Sequence, residues 1–387
     1  MKSKLAVMVM LIPLLVLAGC EGKKQTSSTA VSNTDSVQAE GMLWSVKPLE
    51  KKTKLVVSYL SNSTAELVTY LANEKGWFDA CNLEVELVYF AGGPAQMEAS
   101  NSWDVGTTGI GGMITGTLNY DIRCLGVVSL DRGLFQGFFA NKDSPIVKAG
   151  TGHSSAEGVY GTAETWKGAS VLTAKGTANQ YTLYNTLKSF GLNLSDVKII
   201  NMDIATIPTA FLAGQGDAAG IQGMAIHDEV FQRSDSKYVM VSSDQLLKCG
   251  LAVNYVSTEA AWKKNQQAVE LWLELAVMAG QYANAHQDEA AAMMVDMYGL
   301  DGYETTVKAN LTMISENPYI PLSENFQYFT EKNEDGTMLQ AEAQIYNAMT
   351  GYVEMGNYSK EQLDKLVAKK NFYPGSIVTI MDRVSGK

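Results

Sequence analysis

The chain has 387 residues, 46% of them hydrophobic and 18% charged, with four Cys and a formal net charge of −11. At roughly 150 residues per domain this is enough for about two domains with real cores, which excludes a wholly disordered chain and a mini-protein stapled by disulfides. The acid excess speaks against a nucleic-acid binder, because affinity for a phosphate backbone rests on clustered Lys and Arg.

The chain opens on Met1-Lys2-Ser3-Lys4, continues with an apolar run over residues 5–17 and closes it with Leu17-Ala18-Gly19-Cys20. A basic start, an apolar stretch too short to span a bilayer and a small-residue cleavage site make a secretory signal. With a Cys at the cut point it resembles the bacterial lipoprotein signal, which implies removal of residues 1–19 and acylation of Cys20. Residues 20–53 are rich in Ser, Thr, Lys, Gln and Glu and are expected to be a flexible tether. Outside the cytoplasm a disulfide is permitted, but Cys81, Cys124 and Cys249 are odd in number and their spacing selects no pair.

From residue 54 strand and helix signals alternate. Residues 54–59 read as a strand. Ser63-Thr64-Ala65-Glu66 has the spacing of a capping box and opens a helix carrying Leu67, Val68, Leu71 and Ala72, which ends near Gly76. Strands follow at 83–90, 103–106 and 122–128, with helices at 95–100 and after Gly109. The pattern restarts with strands at 168–172, 197–202, 217–221 and 251–256, and with helices at 181–190 and 207–213. Alternation of this kind predicts parallel βαβ units in two α/β lobes. After Thr258 the chain reads as largely helical, with Trp262, Val269, Leu271, Trp272, Leu275 and Met278 in one stripe.

His153, His227 and His286 are scattered and no Cys pair has C-x-x-C spacing, so no metal and no cofactor is expected. There is no G-x-x-x-x-G-K-[ST], and Gly109-Ile-Gly111-Gly112 fails G-x-G-x-x-G. Three small-residue loops stand before helices: Ser61-Asn62-Ser63-Thr64, Thr107-Thr108-Gly109 and Lys175-Gly176-Thr177-Ala178-Asn179. They are ordinary helix caps or, taken together at one edge of two sheets, N–H donors for an anion.

Several runs carry a resemblance: Lys75-Gly-Trp-Phe78 leading to Leu83-Glu-Val-Glu86, Phe90-Ala-Gly-Gly-Pro94, Trp103-Asp-Val-Gly-Thr-Thr-Gly109, Trp166-Lys-Gly-Ala-Ser-Val-Leu172, Lys175-Gly-Thr-Ala-Asn-Gln180 and Ala210-Phe-Leu-Ala-Gly-Gln-Gly-Asp217. In this order they resemble the substrate-binding lipoproteins of bacterial ABC importers, in the nitrate, sulfonate and taurine branch. The resemblance implies a two-lobed periplasmic-binding-protein fold of α/β class. Each lobe would be a mixed, mostly parallel sheet flanked by helices. Two crossing strands, at 137–140 and 251–255, would join them. Lobe one would comprise residues 54–140 and 253–387, the latter largely helical, and lobe two residues 141–252.

The implied function is capture of a small anionic or zwitterionic solute, with taurine-like or aliphatic sulfonates favoured, and delivery to a membrane permease. The protein would be a lipid-anchored, extracytoplasmic, monomeric binding protein and not an enzyme. An amino acid or other carboxylate is the alternative solute. A receptor-coupled sensor, or an enzyme like those that make the thiamine pyrimidine, is the alternative of another class. Carried over by resemblance, Gly93, Thr107, Thr108, Gly109, Thr177, Ala178 and Asn179 surround the anionic head, with Asn62, Ser63 and Thr64 on the facing loop. Asn179 stands where relatives often have His. Glu66 lies in an Ala-Glu pair like that of taurine binders; it would meet an ammonium or serve only as the capping-box partner. Asp203 is a second acidic candidate, and Gln222 replaces an aromatic found in relatives.

Overall fold

The structure, a computed structural model, describes residues 36–61, 63–130, 135–223 and 235–386. The lipoprotein signal, Cys20, Asn62 and His227 lie outside them.

Among the described residues, ten strands make two five-stranded sheets. The first takes β1 (Thr53–Leu60), β2 (Leu83–Phe90), β3 (Val105–Gly109), β4 (Ile122–Leu130) and β10 (Ala252–Thr258), in the order β2-β1-β3-β10-β4. The second takes β5 (Gln136–Asn141), β6 (Ser170–Thr173), β7 (Lys198–Asn201), β8 (Ala218–Gln222) and β9 (Tyr238–Ser243), in the order β7-β6-β8-β5-β9. In each sheet four strands run in one direction, three of them paired in parallel, while β10 in the first and β5 in the second lie antiparallel to both neighbours. The chain passes between sheets twice, after β4 and after β9. The two runs expected to cross each lie wholly in one sheet, at the arriving side of a passage. Residues 136–140 therefore belong to lobe two.

Helices used below are α1 (Leu67–Glu74), α2 (Gly93–Glu98), α3 (Ile110–Asn119), α4 (Ala178–Lys188), α5 (Ile207–Leu212), α6 (Glu259–Ala285), α7 (Gln287–Leu300), α8 (Val307–Glu316), α9 (Gln340–Glu354) and α10 (Pro374–Val384). The stripe on α6 buries Leu271, Trp272, Leu275 and Met278 in the core of lobe one, where Trp272 meets Tyr255 of β10 edge-on at 5.9 Å. The helical extension thus completes lobe one. It also reaches the site: the Tyr319 hydroxyl donates to the Thr64 carbonyl at 2.7 Å.

Two expectations change. Thr107, Thr108 and Gly109 are the last residues of β3, not a loop. Their small polar side chains hid a central buried strand, and Gly106 shows how tight it is: a Cβ there would fall 1.9 Å from Ser58 Oγ. Residues 36–53, read as tether, are packed on lobe one. Met42 and Val46 are buried, Val37 bridges Val46, and the Trp77 indole donates to the Glu40 carbonyl at 3.0 Å. A few apolar anchors among many polar residues suffice to hold such a strap.

Candidate functional site: a cavity between the two lobes

The parallel strands of both sheets point their carboxyl ends at one another, where βα loops gather and ligands bind in α/β folds. Between them lies a cavity of about 180 Å³. Lobe one lines it with Leu60, Ser63, Thr64, Gly92–Pro94 and Gly109–Gly112; lobe two with Phe135, Gln136, Gly176–Ala178, Ile204 and Gln222–Gly223. Helices α7 and α8 add Met294, Tyr298, Asn310 and Met313, and Tyr303 stands between them.

Glycines set the close approaches. A Cβ on Gly93 would fall 2.9 Å from Gly112 Cα, so the α2 and α3 starts pack backbone to backbone. A Cβ on Gly111 would fall 2.2 Å from the Gly176 carbonyl oxygen, which belongs to the other lobe. The lobes are therefore in contact at the cavity rim. The N-cap of α3, Gly109, supplies no side-chain acceptor, so the first-turn N–H groups and the positive end of a ten-residue helix open on the cavity. Helix α4 is different: the Thr177 hydroxyl accepts from Asn179 N at 3.2 Å, and Gln180 Oε1 accepts from Gly176 N at 2.8 Å.

A second set of interlobe contacts lies beside the cavity. Tyr181 of α4 stacks on Tyr352 of α9 at 5.6 Å. Asn357 donates to Gln180 Oε1 at 3.0 Å, and Lys188 Nζ lies 2.7 Å from Glu354, which also accepts from Tyr184.

Of the residues singled out by sequence, Ser63, Thr64, Gly93, Gly109, Thr177, Ala178 and Gln222 line the cavity. Thr107, Thr108, Glu66 and Asn179 lie behind its wall, fully buried. Asp203 is exposed and stands off the lining. Glu66 Oε1 accepts from Leu60 N at 3.1 Å and from the Thr107 hydroxyl at 2.7 Å, while Oε2 has no partner. Burial pushes its carboxyl up to about 8, against the pull of those two donors. The capping box expected at Ser63 does not form. Ser63 Oγ accepts from Ala65 N, and Ser63 N donates to the Leu60 carbonyl, leaving Glu66 to brace the end of β1 against β3.

Sequence reasoning missed Gln136. It opens β5, is buried and lines the cavity. The Thr173 hydroxyl donates to Asn179 Oδ1 at 2.7 Å; Asn179 Nδ2 donates to Gln136 Oε1 at 3.0 Å; and Gln136 Nε2 has no protein partner. The Gln136 backbone is held as well: Asp244 accepts from Phe135 N at 3.1 Å and Gln136 N at 2.8 Å, and burial pushes that carboxyl up to about 7. Met294, Tyr298 and Met313 were also missed, because apolar residues on helices read as core, and so was Tyr303 in the segment between α7 and α8.

No group of His, Cys, Asp and Glu fit to hold a metal occurs among the described residues, and no described helix is long and apolar enough to cross a membrane. The thiols of Cys81 and Cys124 are buried, and burial raises both, that of Cys81 to about 12.

The family model described as NMT1/THI5 like matches residues 64–290, more than half of the chain. A provisionally named ABC transporter periplasmic binding protein of Brachyspira hyodysenteriae is 23% identical over 274 residues, 70% of this chain and 77% of its own length. Among solved structures, the alkanesulfonate-binding protein SsuA of Xanthomonas axonopodis pv. citri, bound to MOPS, superposes with a TM-score of 0.59 at 16% identity, over 84% of this chain and 99% of that one. The desulfurization enzyme DszB shares the fold too, with a TM-score of 0.53 at 15% identity, over 85% and 99% of the two chains. The chain belongs to the NMT1/THI5-like family and has the fold of ABC-type periplasmic solute-binding proteins.

Proposed function

We propose that this chain is the solute-capturing component of an ABC importer, anchored outside the cytoplasm by lipid on Cys20, and that it passes a small solute with an anionic head to a membrane permease. The observation that carries this reading is the uncapped N-terminus of α3 opening on a cavity between two lobes. Its N–H groups and dipole favour negative charge there. Ser63, Thr64, Gly93, Gly109, Thr177, Ala178 and Gln222 are the residues we assign to the ligand's surroundings, with Glu66, Thr107, Thr108 and Asn179 supporting them from behind. A sulfonate head is favoured over an amino acid or other carboxylate, in keeping with the sulfonate-binding structural neighbour. Binding is favoured over catalysis because Cys81 and Cys124 are core thiols held neutral by burial, whereas a nucleophilic Cys needs a lowered pKa.

Thermal unfolding across a panel of sulfonates, nitrate, amino acids and dicarboxylates tests the reading. A ligand at 100 times its dissociation constant adds about 2.7 kcal/mol of stability. Absence of a shift with every member of the panel overturns it. The anchor is tested separately: Cys20→Ala is expected to release the protein from the membrane fraction, and continued retention refutes acylation at Cys20.

A further inference from the structure

The cavity wall carries two unlike surfaces. At one, Gln136 Nε2 is a buried donor with no partner in the protein, held in that orientation by the chain Thr173 to Asn179 to Gln136. An unsatisfied buried donor is costly, so its presence in a cavity wall calls for an acceptor from outside the chain. The uncapped start of α3 lies in the same wall and favours negative charge on that acceptor. At the other, the helical extension supplies the thioethers of Met294 and Met313 and the rings of Tyr298 and Tyr303, whose centroids are 6.0 Å apart and tilted at 50°. Met313 also packs on Phe135 and Met240 of lobe two, so this apolar end, like the polar one, joins the lobes. Methionine sulfur and tyrosine faces suit an apolar or aromatic body. The cavity volume of about 180 Å³ is close to the ~150 Å³ that accommodates a benzene ring.

We propose that the solute carries a sulfonate or carboxylate head that accepts a hydrogen bond from Gln136 Nε2, and an uncharged, ring-sized apolar body lodged against Met294, Tyr298, Tyr303 and Met313. This rests on the solute-binding reading above and narrows it, away from taurine, which would bring an ammonium to the apolar end.

Calorimetric titration of the intact protein with benzenesulfonate, ethanesulfonate and taurine tests it, with benzoate as a second head. Benzenesulfonate is expected to bind at least about tenfold more tightly than ethanesulfonate and taurine, since the sulfonate head is constant while the buried apolar area is larger and taurine adds an ammonium. Taurine or ethanesulfonate binding as tightly as benzenesulfonate overturns this inference and leaves anion capture standing. Absence of binding by all four overturns this inference, and the wider panel above then decides anion capture. Two variants locate the ends. Gln136→Met is expected to weaken benzenesulfonate by about tenfold. Should that variant fold poorly, Tyr303→Ala, at a less buried position, is decisive. It is expected to bring the ratio of benzenesulfonate to ethanesulfonate affinity towards one. An unchanged ratio overturns the assignment of the apolar end.

Discussion

Gly111 of lobe one faces the carbonyl oxygen of Gly176 of lobe two so closely that a Cβ on Gly111 would sit 2.2 Å from it. The missing side chain is what lets the rim of the cavity shut. Gly111→Ala is therefore expected to leave the folded lobes intact, since Ala is favoured over Gly in a helix, while holding the rim ajar. Small-angle scattering should show no ligand-induced decrease in radius of gyration, and ligand affinity should fall by about tenfold or more, ~1.4 kcal/mol. Wild-type compaction and affinity in this variant would show that closure does not pass through this contact.

Asn179 is expected to act through Gln136 and not by touching the solute. In Asn179→Asp the carboxylate accepts and cannot donate, so the Gln136 amide turns and presents its oxygen to the cavity. Affinity for an anionic head should drop by about tenfold or more, whereas Asn179→Ala, which frees the amide to rotate, should lose less. Equal losses in calorimetry for the two variants would reduce Asn179 to a packing role.

Glu66 makes stability depend on pH in a direction opposite to that of a salt-bridged acid. Its carboxyl is raised from 4.5 to about 8 by burial, so across that window the unfolded chain has released the proton and the folded chain retains it. Stability is then full below about pH 4.5 and declines as pH rises towards 8, by up to about 1.4 kcal/mol per pH unit. Asp244, raised from 3.8 to about 7, acts in the same direction over its own window. Urea midpoints at pH 5, 6.5 and 8 should therefore fall for the wild type and fall less steeply for Glu66→Gln. Parallel slopes would mean that Glu66 is already ionised in the folded protein.

The strap before β1 is expected to be structural. The Trp44 indole donates to Glu274 Oε1 at 2.9 Å, and Arg383 of α10 pairs with the other oxygen of that buried carboxylate. Trp44→Ala removes both a half-buried ring and one of the partners of a buried charge. A loss of about 2–4 kcal/mol is expected in denaturant unfolding. A change under about 0.5 kcal/mol would return this segment to the tether it resembles in composition.

The alternation of strands and helices was legible because apolar runs such as those of β1, β2 and β4 stand between turn residues, and the stripe on α6 has helical spacing. Four of the cavity-lining positions, Ser63, Thr64, Gly93 and Thr177, were legible because small residues before a helix are what a backbone-lined anion site requires. Thr107 and Thr108 carry the same chemistry but end a central strand, which only the pairing of β3 with β1 and β10 reveals. Gln136 left no local signature: its meaning depends on Asn179, more than forty residues away, and on Thr173 beyond it. The apolar end was illegible for a different reason, since a methionine or tyrosine facing a cavity and one facing a core occupy the same helical positions.

The strand order has a consequence for the growing chain. All five strands of the second sheet lie within residues 136–243, so that sheet is complete once that stretch has emerged. In the first sheet β10 is wedged between β3 and β4, which share no bonds with one another. Until residue 258 appears, both strands keep an unpaired edge of the kind that attracts other chains. The half of the protein made first is thus the half finished last. The chain remains incompletely folded through most of its synthesis by its topology alone.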